Sequence, residues 1–140
     1  MSTDAARKDA LQDLAAFEAA AFRFGQQARE VLAGLPEGMP EPFSILPRFS
    51  SRADASHELV HGSGSYLHIV VPWEGLDAWA ALFEASVEKR YDKLPSGYSC
   101  HARADGERLG ITVHIGCTQS ITAAEWQELE NDGATLGGYR

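Results

Sequence analysis

One hundred and forty residues, 44% of them apolar and 23% charged, suffice for one α+β domain to bury a continuous core without disulfides or a structural metal, and leave no room for a second domain. A net charge of −8 with no run of Lys or Arg argues against nucleic acid as a partner, because phosphate neutralisation needs a basic patch. No stretch reaches the ~18 apolar residues of a membrane span, and the start of the chain lacks the basic and apolar regions of a signal peptide, so a cytoplasmic domain of bacterial or phage type with no membrane partner is expected.

Residues 1–34 are predicted to form a long helix, capped by Thr3 or Ser2 and running to about Leu32 before Gly34 and Pro36 stop it. Leu14, Phe17, Ala21, Phe24, Ala28, Val31 and Leu35 recur in steps of three and four, the spacing of a coiled-coil seam, and Leu11, Phe22 and Leu32 broaden the stripe. Such a helix would be ~45 Å long, whereas a globule of this size is ~35–40 Å across, so either Gly25 breaks it or it overhangs. Leu14, Phe17, Phe24 and Val31 are therefore the candidate partner-binding residues, with a homodimer as the simplest outcome.

Residues 35–54 form a Pro-rich connector in which the alternation of Phe43, Ile45 and Phe49 allows one short edge strand. The remainder, 55–133, is predicted to hold a sheet and two helices. A first hairpin joins Ala55 to His61 with the strand from Tyr66 to Trp73, through Gly62, Ser63 and Gly64, and sets Leu59 opposite Leu67. Gly75 opens an amphipathic helix with Leu76, Trp79, Ala80, Phe83 and Val87 on one face. Asp105 and Gly106 are the predicted turn of a second hairpin, pairing Ala102 with Leu109, Cys100 with Ile111 and Tyr98 with Val113. That register puts Cys117 about 20 Å from Cys100, so both are expected as buried free thiols. Thr122 and Glu125 write a capping box for a last helix, ended by Asn131 and Gly133. The expected order is α-(β)-β-β-α-β-β-α, an antiparallel sheet of four to five strands with helices mainly on one face.

His57, Glu58, Leu59, Val60 and His61 spell H-E-x-x-H. On a helix the two histidines would share a face and hold Zn²⁺, with Glu58 as the base for the bound water. With Gly64 and His68 the stretch is similar to the metzincin zinc peptidases, which implies zinc as cofactor and His68 as third ligand, although His68 stands one residue late and no downstream Met-turn follows. Read as a strand, the same segment separates the histidines by ~13 Å and needs no metal or other cofactor. A third feature is the sheet face opposite the core, where Tyr66, His68, His101 and His114, with Ser99 and Thr112, point together and could take a small ligand. Element order and acidity loosely resemble those of type III secretion chaperones. The leading expectation is a non-enzymatic binding protein working through protein contacts, in the manner of a chaperone, adaptor, immunity protein or phage-encoded inhibitor. The zinc peptidase and the small-ligand binder are the alternatives.

Overall fold

The computed structural model describes residues 3–53, 59–61, 64–134 and 136–138. A 31-residue helix, α1 (Thr3–Ala33), runs unbroken through Gly25. Among the described residues eight strands follow: β1 (Ser44–Arg48), β2 (Ser51–Ala53), β3 (Leu59–His61), β4 (Tyr66–Val70), β5 (Val87–Leu94), β6 (Gly97–Arg108), β7 (Ile111–Ile121) and β8 (Leu136–Gly138). Helix α2 (Leu76–Leu82) lies between β4 and β5, and α3 (Ala123–Asn131) between β7 and β8. Six strands make one mixed sheet in the order β1-β4-β7-β6-β5-β8, while β2 and β3 pair separately. The α+β class is as expected, but the sheet is larger than the four to five strands foreseen. It is also not purely antiparallel, since β4 runs parallel to β7 and β5 parallel to β8.

One sheet face is apolar and carries the core. Leu67 and Ile69 of β4, Ile111, Val113 and Ile115 of β7, and Ala102 and Ala104 of β6 are buried there beneath Phe24, Ala28 and Val31 of α1 and Trp79 and Ala80 of α2. The Trp79 indole N–H donates to the Pro40 carbonyl at 2.8 Å, which ties the connector down over α2. Trp126 of α3 stacks on Tyr98, with centroids 4.8 Å apart, so the third helix closes the other end of the same face.

Several local expectations are corrected. The second hairpin turns at Leu109 and Gly110, whose φ values of 52° and 78° are those a two-residue turn of this kind requires. Its register sets Tyr98 against Ile121, Cys100 against Gln119 and Ala102 against Cys117. Cys100 and Cys117 are thus diagonal neighbours on the buried face rather than about 20 Å apart. Both remain free thiols, and burial pushes each above the ordinary thiol range. The first hairpin is different too: β4 pairs with β1, Ile45 opposite Ile69, and Leu59 pairs with Ala53 instead of Leu67. Pro47 is tolerated because β1 is an edge strand. The helix expected to reach Val87 stops at Leu82. Glu84 then takes a positive φ of 51°, and Val87 begins β5, where Lys89 lies over the Trp73 ring.

The start of α3 follows the sequence. Thr122 Oγ1 accepts from the Glu125 N–H at 3.1 Å, and Glu125 Oε1 accepts from the Thr122 N–H at 3.3 Å.

Candidate functional site

Two surfaces carry groups beyond those that hold the fold together. The first is α1. Its core-facing residues, Ala20, Phe24, Ala28 and Val31, all lie in the second half of the helix. Residues 3–19 are exposed apart from half-buried Ala16. Phe24 and Val31 are 4% and 1% exposed, so these two proposed partner contacts are corrected to core residues of the chain's own domain. Leu14 and Phe17 stand 55% and 43% exposed, Phe17 resting edge-on against Phe49 with centroids 5.3 Å apart.

The sequence reading missed a second stripe on the same helix, rotated away from the core. Leu11, Leu14, Glu18, Phe22, Gly25, Arg29 and Leu32 follow in steps of three and four. Leu11 is 60% exposed and Phe22 66%. Beside this stripe, α1 and the edge of the sheet enclose an apolar furrow of about 430 Å³, lined by Gly25, Ala28, Leu32, Ile45, Pro47 and Phe49 among others. Gly25 forms a notch in its rim, since a Cβ there would meet nothing within 4 Å. The sequence signal was available in the step pattern, but the glycine and the two charged positions masked it.

The second surface is the sheet face opposite the core. Tyr66, His68, His101 and His114 point there together, as expected from the alternation along each strand. His68 and His114 are register partners on parallel β4 and β7. Tyr66 packs edge-on against His114, with centroids 4.5 Å apart. His114 bonds through Nδ1 to Asp105 directly across on β6. Arg103 Nε donates to both oxygens of that carboxylate at 3.1 and 2.9 Å. The guanidinium holds the Asp105 carboxyl below the usual carboxylate range against the opposing effect of partial burial, and His114 adds to the lowering.

His101 belongs to a separate group. It is held by Thr118 Oγ1 at 3.0 Å and Ser99 Oγ at 3.2 Å, with Asp92 at 3.4 Å. His68 has no polar partner among the described residues and lies over Gly116, where a Cβ would come 3.2 Å from its Nε2. Hollows of about 330 and 460 Å³ meet at these two residues. A carboxylate-oriented imidazole beside an unpartnered one can accept hydrogen bonds from a ligand or relay a proton. Among the described residues the shared face thus carries two hydrogen-bonded groups, His114 with Asp105 and Arg103 and His101 with Ser99 and Thr118, with His68 lining the hollow that reaches His101.

His57 and Glu58 lie outside the described residues. His61 ends β3, so the last three residues of the H-E-x-x-H stretch are extended. Among the described residues, no three His, Cys, Asp or Glu side chains gather as a metal cluster, and no helix is long and apolar enough to cross a membrane. No protein-family model, curated protein or solved structure matches the chain.

Proposed function

We propose that the chain is a non-enzymatic binding protein that works through protein–protein contacts, of the chaperone, adaptor, immunity or inhibitor kind, and that its contact surface is the outward stripe of α1. The observation that carries this reading is the exposure of Leu11, Leu14 and Phe22 along one continuous helical line beside an apolar furrow. Isolated exposed leucines are ordinary on protein surfaces, but several large apolar side chains aligned on one helix face, interspersed with Glu18 and Arg29 and next to an apolar hollow, favour an association site. Half of a 31-residue helix exposed along its length also gains little from packing, which supplies most helical stability in proteins. A covering partner would provide it, and a second copy of the chain is the simplest one.

The double variant Leu14→Glu with Phe22→Glu tests the proposal. Both side chains are exposed, so folding is expected to survive and the melting temperature of the dilute protein to stay within a few degrees of wild type. Light scattering at tens of micromolar should give a dimer mass for the wild type and a monomer mass for the variant. A wild type that stays monomeric there, or a variant that associates as well as the wild type, would remove the basis for this surface.

A further inference from the structure

We infer that the occupant of the furrow is a second copy of this chain, with the two α1 helices lying antiparallel about a twofold axis that passes between Arg23 and Phe24. This rests on the protein-contact reading above and fixes its partner and register. In that arrangement Phe22 of each copy comes opposite Gly25 of the other, so the most exposed ring on the helix meets the one position with no side chain. A smaller hollow of about 160 Å³, lined by Phe22, Gly25, Gln26 and Arg29, lies at this crossing point. Leu14 falls opposite Ala33 and beside Leu32, which lines the furrow. The first half of α1, exposed over residues 3–19 apart from half-buried Ala16, is thereby laid on the partner's body.

Charge selects the same pairing. Glu18 and Arg29 both lie on the stripe, and neither has a partner in its own chain among the described residues. The axis brings Glu18 of each copy opposite Arg29 of the other, giving two symmetric ion pairs, as an isologous interface requires. Two copies of a chain with net charge −8 repel over most of their surface. Helix α1 is the exception: its five carboxylates and four cations account for only one of the eight net negative charges. Moving the pairing along by one residue would take Phe22 off Gly25 and Glu18 off Arg29 together, so the two matches specify one register.

A charge-swap cycle read by sedimentation tests this. Glu18→Arg and Arg29→Glu, each alone, set like charges face to face twice and are expected to raise the dimer dissociation constant at least about tenfold. The double variant E18R/R29E should return it to near the wild-type value. Gly25→Leu should weaken the dimer similarly without lowering the melting temperature of the dilute protein, because its own chain leaves the position open. If Leu14→Glu with Phe22→Glu dissociates the dimer but the single swaps leave it unchanged, the antiparallel register is wrong while the contact surface stands. A wild type that never dimerises overturns both.

Discussion

Replacing Gly106 by valine is expected to cost about 3 kcal/mol, lowering the melting temperature by roughly 10 °C. Gly106 lies within β6, opposite Val113, on the face that packs beneath α2. A Cβ there would come 2.8 Å from the Phe83 Cβ and 2.9 Å from the Phe83 carbonyl oxygen. The carbonyl belongs to the backbone and cannot turn aside as a side chain would, so either β6 or the end of α2 has to move. The mechanism is steric rather than conformational, because the positive φ of the hairpin resides at Leu109 and Gly110. Gly106→Ala should therefore destabilise as well, by somewhat less. Thermal unfolding of the two variants checks this, and a wild-type melting temperature for both would contradict the packing of α2 on β6.

The second large effect separates the two halves of α1. Phe24→Glu places a carboxylate at a position that is 4% exposed, among Phe49, the furrow lining and the sheet, and is expected to abolish folding. Phe17→Glu, seven residues earlier on the same seam, removes an edge contact with Phe49 at a position 43% exposed, a loss of about 1 kcal/mol. Circular dichroism of the two variants should show one unfolded and one folded protein. Equal loss of structure in both would mean that the first half of the helix is as deeply packed as the second.

Local periodicity made much of the architecture legible, and long-range pairing did not. The helix of residues 3–33 follows from its three-and-four spacing, and the last helix from its capping box, because both signals are confined to adjacent turns. The histidine face survived a misplaced turn for a specific reason. Moving the turn from Asp105 and Gly106 to Leu109 and Gly110 slips β6 against β7 by an even number of residues, and an even slip leaves every side chain on its original face. The diagonal approach of Cys100 and Cys117 was lost in the same slip, since distance along a strand is not protected by parity.

What escaped the sequence is of another kind. Val87 extends the apolar face of α2 at helical spacing, yet it starts β5, because pairing with β6 outweighs a short helix's continuation. The parallel pairings of β4 with β7 and β5 with β8 join segments far apart in the chain and leave no local mark. At the candidate surface, Leu11 and Phe22 were read as broadening a single seam from Leu14 to Leu35, all of it offered to a partner, and the buried and exposed parts of that seam were not told apart. Leu14 and Phe24 fit one seam equally well on paper, and only the width of the sheet decides which of them it covers.

Amide hydrogen exchange along α1, measured across a range of protein concentrations, tests the central claim most directly. If the outward stripe is an association surface, protection of residues 3–19 should rise steeply from sub-micromolar to tens of micromolar protein. Residues 24–31, already held against the sheet, should change little. Exchange over residues 3–19 that is rapid and the same at every concentration would show that nothing covers the helix, and would contradict a contact role for it.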